Sequence, residues 1–214
     1  MKKILYFAII LSLSFASSCS KNKDDVPTTW NTSLGKATFA TTQTWKISGG
    51  SITQVWSDAV EIIGAKDDYN GGNSTDGYRI DFGANKSPYK GSLFSWRAVA
   101  ETANLCPPPW RVPTQQDFIN LDKALGGTGE NRKNSELVTF IIPKHLGDWG
   151  GAFGGCFSNG TLYQQGVVGY YWSQSESSSD SNRGFYLFFS TNGDVYPQMS
   201  YFKSSGFTLR CVRN

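Results

Sequence analysis

Aromatic side chains in glycine-rich stretches are the residues of this sequence whose types and neighbours best suit ligand binding. Trp149 stands in GDWGGAF, Tyr163 in GTLYQQG and Tyr69 in DDYNGG, and such neighbours would leave each ring accessible. Aromatic faces stack on the C–H surfaces of sugars, while amides and carboxylates hydrogen-bond to sugar hydroxyls. The polar candidates beside these rings are Asp148, Asn159, Gln164 and Gln165. The pattern predicts a carbohydrate-binding surface formed by loops.

Core packing is the competing interpretation of the aromatic residues. In a small β-rich domain most large aromatic side chains fill the interior. The residues that we assign to the core on this ground are Trp110, Trp172, Phe185, Phe188 and Phe207. Packing and turn formation also stay open as roles for the candidate binding residues.

The sequence offers little material for catalysis. His145 is the only histidine, so no histidine cluster for a metal and no second imidazole beside a cysteine can form. No serine stands in a Gly-x-Ser-x-Gly elbow, and no glycine-rich phosphate-binding loop is present. His145, in PKHLGDWGG, is interpreted as a loop residue. We therefore predict a protein that is not an enzyme and that needs no cofactor.

Two further ligand classes are excluded by spacing and by charge. The stretch KDDYNGGNSTDG, residues 66–77, offers oxygen ligands but lacks the spacing and the closing glutamate of an EF-hand. Turn formation explains these residues without a metal.

The net charge is +3, Lys2 and Lys3 supply two of these charges, and no basic stripe is present. We predict neither a metal site nor a nucleic-acid partner.

The first 37 residues predict export and membrane attachment. Lys2 and Lys3 precede an apolar run that is too short to span a membrane, and the small residues 16–18 lead directly to Cys19. This order resembles the bacterial lipobox, in which the cysteine is lipidated. Ordinary signal-peptide cleavage nearby is the alternative. We predict a signal peptide at 1–18, lipidated Cys19 with a polar tether at 19–37, and one domain at 38–214.

Acidic residues in the tether bear on the location of the protein. Asp24 and Asp25 resemble the export signal of surface lipoproteins in Bacteroidetes, although a merely charged tether would look the same. The predicted location is therefore the cell envelope, as an outer-membrane lipoprotein that faces outward. Its predicted partners are the membrane, through the lipid, and either a glycan or a surface protein.

Three cysteines follow Cys19, and an odd number in an oxidising compartment favours one disulfide and one free thiol. Cys106 and Cys211 lie about 105 residues apart, and a bridge between them would close a long loop. We favour this pairing with Cys156 free, but spacing alone leaves open a bridge from Cys156 to either partner.

Patterning along the chain predicts an α+β fold. Residues 38–47 have the composition of a strand, and 52–65 have either an approximate helical stripe or a strand with a turn. Thr114 and Asp117 form a capping-box pattern that starts a helix, which ends at Gly126. The second half consists of short aromatic segments separated by Asn-Gly and serine-rich turns, which is typical of successive antiparallel hairpins.

Four motifs in order resemble one family. LFSWRAVA, LCPPPWRVPTQQDFINLDKALGG, YYWSQSE and GFTLRCVRN are similar to the motifs of the Fibrobacter succinogenes major paralogous domain, which is abundant in surface lipoproteins. WRVPTQQDF and GFTLRCVR more faintly resemble the formylglycine-generating-enzyme group. Those enzymes use a cysteine pair near their C-terminal strands, and Cys211 has no cysteine nearby in sequence. That chemistry is therefore predicted to be absent.

The resemblance implies a C-type-lectin-like domain, rich in loops, with one or two helices and an antiparallel sheet in which the terminal strands meet. It also implies a disulfide between Cys106 and Cys211. The calcium-ligand motifs of lectins with this fold are missing from the sequence. We predict a non-catalytic protein for adhesion or glycan binding. A structural or assembly subunit of a surface complex is the alternative.

Overall fold

The computed structural model describes residues 26–64, 89, 91–133 and 137–214. Its helices and strands, in chain order, are β1 (Trp30–Thr32), β2 (Gly35–Phe39), β3 (Thr44–Gly49), β4 (Ile52–Ile62), β5 (Leu93–Phe94), α1 (Trp96–Glu101), α2 (Gln115–Ala124), β6 (Arg132–Lys133), α3 (Leu137–Leu146), β7 (Cys156–Ser158), β8 (Thr161–Tyr163), β9 (Val168–Glu176), β10 (Arg183–Ser190), β11 (Asp194–Phe202), β12 (Phe207–Thr208) and β13 (Arg210–Arg213). The chain is α+β and rich in loops. Candidate Tyr69 and the acidic stretch at 66–77 lie outside the described residues.

The first sheet joins the two ends of the described chain. Its long central strand β4 pairs with β2 and β3 along one edge and with β13 along the other, and all of these pairings are antiparallel. β1 extends the sheet beyond β2. The N-terminal strands and the last strand therefore share one sheet, as the family resemblance implied.

The second sheet carries most of the aromatic segments. Its strand order is β5-β12-β9-β10-β11-β6, and the long strands β9, β10 and β11 form an antiparallel meander. The turn at Asn192 and Gly193 connects β10 to β11, and the turn at Asn159 and Gly160 connects β7 to β8 in a separate two-stranded sheet. Both Asn-Gly turns are where the sequence predicts them, because each lies between short apolar runs.

The helix predicted at Thr114 is confirmed, including its cap. The Thr114 side chain accepts a hydrogen bond from the backbone N–H of Asp117, and the Asp117 carboxylate accepts one from the backbone N–H of Thr114. Asp117 also forms an ion pair with Arg111, with 2.6 Å between nitrogen and oxygen. Burial of Asp117 acts to raise its pKa, but the Arg111 pair and the Thr114 hydrogen bonds together outweigh burial and lower the pKa below its usual value. The carboxylate therefore ties the segment before α2 to the first turn of that helix.

Two features of the fold correct the sequence analysis. The described residues contain three helices, whereas one or two were predicted. The sequence analysis did not predict α1 and α3. Residues 52–62 form strand β4, so the helical alternative for this segment is wrong. β4 is a central strand with buried residues on both faces, including Trp56, Ser57, Ala59 and Val60. Burial on both faces removes the alternation that identifies a strand in a sequence.

The disulfide joins Cys106, which precedes α2, to Cys211 in β13, with 5.7 Å between their Cα atoms. Cys156 is free and buried. Beside the bridge, Arg111 and Val212 exchange two backbone hydrogen bonds of 2.9 Å each. Trp110 is buried in the same apolar cluster. The proline-rich stretch thus fastens the segment before α2 to the last strand.

Candidate functional site

Trp149 is not available to a ligand. Its side chain has no exposed surface, and its ring packs against Trp56 and Tyr171 at centroid distances of 5.5 and 4.8 Å. Its carbonyl accepts a hydrogen bond from buried Arg210. The sequence-based expectation of an accessible ring is therefore wrong. The three residues after α3 turn the chain back toward the interior, and this large apolar ring fills the space between α3 and the sheets.

His145 is a core residue of α3 rather than a loop residue. It is fully buried, its Nδ1 lies 3.1 Å from the carbonyl oxygen of Ile141, and its Nε2 has no hydrogen-bond partner in the described structure. Burial lowers the pKa of His145 to about 4. The imidazole is therefore neutral at physiological pH, and it contacts Phe189 at a centroid distance of 5.2 Å. The apolar residues before it, Ile141 and Ile142, are buried on the same helix.

The buried imidazole predicts a loss of stability in mild acid. Unfolded His145 would bind a proton with a pKa of about 6.5, whereas the folded pKa is about 4. The stability that the protein keeps while His145 is neutral is fully present above pH 6.5. It is lost progressively as the pH falls toward 4, by up to about 3 kcal/mol in total. Denaturant unfolding at several pH values measures it. His145→Phe should flatten the profile between about pH 6.5 and 5, and identical profiles for the two proteins would contradict this account.

A pocket on the second sheet brings together three of the predicted binding residues. It has a volume of about 370 Å³, and we call it the tyrosine pocket. The residues that line it are Cys156, Ser158, Asn159, Tyr163, Gln164, Tyr170, Tyr186 and Tyr201. Asn159, Tyr163 and Gln164 come from the prediction. Gln165 is half-buried and Asp148 is exposed, and neither of them lines this pocket.

Local backbone geometry explains how the β7–β8 hairpin forms one wall. Asn159 has a φ of 48° and Gln164 a φ of 58°, both in the left-handed region. Asparagine tolerates this region better than most residues, and Gly160 completes the turn. The reversal at Gln164 directs its side chain to Tyr170, whose hydroxyl donates a hydrogen bond to Gln164 Oε1. The hairpin and β9 are thereby linked across the pocket.

Three strands of the second sheet supply three of the four pocket tyrosines. Tyr170 is on β9, Tyr186 on β10 and Tyr201 on β11. The ring centroids of Tyr170 and Tyr186 are 5.9 Å apart with nearly parallel planes, and those of Tyr186 and Tyr201 are 6.2 Å apart. Phe207 lies behind Tyr170 at 4.8 Å and stacks on it. Tyr170, Tyr186 and Tyr201 are therefore held by packing before any ligand binds.

The lining of the tyrosine pocket carries no charge at neutral pH. Burial raises the pKa of the Cys156 thiol to about 11, and it also raises the pKa of both Tyr170 and Tyr186. The other lining residues are serine, asparagine, glutamine and tyrosine. An ion would lose its hydration here without a counter-charge, so the chemistry of the pocket favours an uncharged ligand.

Sequence reasoning missed Tyr170, Tyr186, Tyr201 and Cys156 as pocket residues. Tyr170 belongs to YYWSQSE and Tyr186 to GFYLFF, where dense aromatic runs look like core. Alternation gives a partial signal, because successive strand residues face opposite sides of a sheet. Tyr171 belongs to one apolar cluster, while Tyr170 packs against the other. Only the pairing of β9, β10 and β11 shows which of the aromatic residues share a face.

The assigned core aromatics fall into two groups. Trp110, Trp172 and Phe207 are buried, as predicted. Phe185 and Phe188 are half-buried. Phe188 contacts Tyr170 and Tyr196 at centroid distances of 5.3 and 5.1 Å, so the aromatic face of the sheet extends beyond the pocket toward the start of β11.

The described residues include no group of three or more histidine, cysteine, aspartate or glutamate side chains that could hold a metal ion. Within the same part of the chain, no helix has both the length and the apolar character needed to cross a bilayer.

Comparison with known proteins identifies the family. Residues 40–213 match the model of the Fibrobacter succinogenes major domain. Because the match covers most of the chain, this protein belongs to the Fibrobacter succinogenes major domain family, as its four motifs indicated. No curated protein and no solved structure matches the chain. The C-type-lectin-like name for the fold stays a prediction from the resemblance.

Proposed function

We propose that this protein is a non-catalytic, lipid-anchored protein of the cell envelope that binds an uncharged glycan in the tyrosine pocket. The observation that carries the proposal is the convergence of four tyrosines, one asparagine and one glutamine on a single cavity. Aromatic walls with a few polar groups are typical of small-ligand sites of this size.

The exposed rings give the proposed site its recognition surface. Tyr163 and Tyr201 are 44% and 36% exposed, and both line the pocket. Each ring offers a face for the C–H surface of a sugar, and each hydroxyl can donate and accept hydrogen bonds. Asn159 and Ser158 add polar groups at the hairpin. A pyranose has this combination of apolar faces and equatorial hydroxyls, so a neutral sugar suits the pocket better than a purely apolar ligand.

Attachment to the membrane is supported by the sequence. The basic and apolar N-terminal segment, the small residues before Cys19 and the polar residues after it together match a lipoprotein leader. Asp24 and Asp25 support an outward-facing position. In this proposal the lipid holds the protein at the outer membrane, and the tether presents the tyrosine pocket to glycans outside the cell.

A structural role in a surface complex is the second candidate, and one feature favours it. Met199, Tyr201 and Phe202 are exposed apolar residues within four positions of β11. β6 covers β11 only at Asp194 and Val195, so the rest of this edge has no neighbouring strand among the described residues. Exposed apolar surface at a sheet edge is suited to contact with another protein.

A glycan array probed with the purified full-length chain in mild detergent tests the binding proposal. Tyr163→Ala and Tyr201→Ala should each weaken binding to the selected glycan about ten-fold, because each removes one wall of the pocket. Phe140→Ala is the matched control, since Phe140 is 57% exposed on α3 and does not line the pocket. Loss of binding in the control together with the two variants, or no binding by the unmodified chain, would overturn the proposal.

Membrane attachment is tested with the same protein in cells. Cys19→Ala removes the thiol that would carry the lipid, so the protein should move from the membrane fraction to the soluble fraction. Glycan binding by intact cells should then disappear while binding by the purified variant remains. Unchanged membrane association of the variant would refute the anchor without affecting the pocket.

A further inference from the structure

A second cavity lies on the other face of β9 and is distinct from the tyrosine pocket. Tyr170 lines the tyrosine pocket, and its neighbour Tyr171 lines this second cavity of about 240 Å³. Successive residues of a strand point to opposite faces of the sheet, which accounts for the separation. We call the second cavity the Arg210 cleft, because Arg210 of β13 forms part of its wall.

Arg210 is a buried cation with no carboxylate in ion-pair contact among the described residues, and Asp58 acts on it only at longer range. Its side chain is 2% exposed. Its Nε donates to the carbonyl of Ser57 at 2.7 Å and its Nη1 to the carbonyl of Trp149 at 2.6 Å. Its Nη2 is buried and has no hydrogen-bond partner within the described ranges. Buried charges in proteins are normally paired, so this donor set is incomplete.

Two tryptophans hold the guanidinium in place. Its central carbon lies 4.3 Å from the ring centroid of Trp45 and 4.4 Å from that of Trp149. Gly150 permits this arrangement, because a Cβ on Gly150 would lie 2.1 Å from Cε2 of Trp45. The rings offset part of the cost of burial but offer no hydrogen-bond acceptor in the plane of the guanidinium. The group is therefore fixed in position while part of its donor capacity is unused.

The rest of the cleft supplies acceptors and donors for hydroxyl groups. Asp58 lines the cleft, with one oxygen accepting from the Thr41 hydroxyl at 2.7 Å and the other from the backbone N–H of Ala59 at 2.8 Å. Asp58 and Arg210 form no ion pair within 4.0 Å. Each Asp58 oxygen keeps a lone pair that can accept from a further hydroxyl. Thr41 and the exposed side chain of Gln43 lie in the same lining.

We propose that the Arg210 cleft is a second binding site, for a hydroxylated carboxylate of the sugar-acid class. The ligand carboxylate completes the donor set of Arg210 and places a counter-charge in direct contact with it, whereas Asp58 acts only at longer range. The ligand hydroxyls face Asp58, Thr41 and Gln43. A neutral sugar brings no counter-charge to Arg210. A simple carboxylate brings no hydroxyl that could donate to Asp58, so the repulsion between the two carboxylates is not offset. This proposal is independent of the function proposed for the tyrosine pocket.

Calorimetric titration of the purified full-length chain with D-glucuronate and with D-glucose tests the proposal. The two probes differ only at C6, which is a carboxylate in glucuronate and a hydroxymethyl group in glucose. Glucuronate should bind at least about ten-fold more tightly. Gln43→Lys should tighten glucuronate binding and Gln43→Glu should weaken it, each by about three- to ten-fold, because position 43 places a charge at the exposed rim of the cleft. Neither substitution touches the core, so both variants should fold.

Two controls distinguish binding in the Arg210 cleft from a general charge effect and from binding in the tyrosine pocket. Gln116→Glu makes the same charge change at an exposed position on α2 outside the cleft and should leave glucuronate binding unchanged. Tyr163→Ala alters the tyrosine pocket alone and should also have no effect. Equal affinities for glucuronate and glucose, equal responses to Gln43→Glu and Gln116→Glu, or no glucuronate binding would each overturn the proposal.

Discussion

Replacing Cys106 and Cys211 together by alanine is expected to lower the free energy of unfolding by about 4 to 5 kcal/mol. The bridge closes a loop with a sequence separation of 105 residues. Without it the unfolded chain gains the conformational freedom of that loop, and the segment before α2 loses its covalent link to β13. Denaturant unfolding of the oxidised protein and of the double variant measures the difference.

A matched control for the double substitution is available in the same chain. Cys156 is also buried but is free, so Cys156→Ala changes a buried thiol without opening a loop. Its expected cost is about 1 kcal/mol, from the loss of packing around a small side chain. Adding a reducing agent to the unmodified protein should lower its stability as much as the double substitution does. The difference in stability between Cys156→Ala and the unmodified protein should be the same with and without the reducing agent. Equal stabilities for the double variant and Cys156→Ala would show that the bridge contributes little.

Trp149→Ala should lower the free energy of unfolding by about 3 to 5 kcal/mol. The ring is fully buried and contacts Trp56, Tyr171 and the Arg210 guanidinium. Its removal therefore leaves a cavity and takes the stacked ring away from one face of the guanidinium. The measurement is again denaturant unfolding, with the slope compared between variants to detect any change in the surface exposed on unfolding.

The control for this substitution is Tyr163→Ala, because Tyr163 is an exposed aromatic residue. Its loss should cost less than about 1 kcal/mol of stability but should weaken binding in the tyrosine pocket. Trp149→Ala should show the opposite pattern, which is a large loss of stability without a loss of glycan binding. The binding is measured under conditions in which the variant is still folded. A large loss of stability in Tyr163→Ala together with a small one in Trp149→Ala would contradict the assignment of the two rings.

Local signals predicted the elements whose geometry is set by neighbouring residues. The capping box at Thr114 and the Asn-Gly turns at Asn159 and Asn192 act within a few residues, so the sequence displays them directly. α3 was missed because Pro143 stands inside it, and proline normally argues against a helix interior. The helix is retained because its apolar side chains Ile141 and Ile142 are buried in the core.

The site could be predicted only in part, for a similar reason. Asn159, Tyr163 and Gln164 are close to one another in the chain, and their loop-like composition indicated an accessible surface. Tyr170, Tyr186 and Tyr201 reach the same pocket through long-range strand pairing, which no short pattern encodes. Trp149 has the same glycine-rich neighbours as Tyr163, so composition could not separate a buried ring from an exposed one.

Binding of a neutral glycan in the tyrosine pocket is the central claim, and an NMR titration tests it most directly. The isotope-labelled full-length chain would be titrated with the oligosaccharide that gives the strongest array signal, and backbone amide shifts would be followed. The account predicts the largest shifts at Asn159, Tyr163, Gln164, Tyr170 and Tyr201, with little change around Trp149. Shifts confined to other surfaces, or none with any glycan, would contradict the claim.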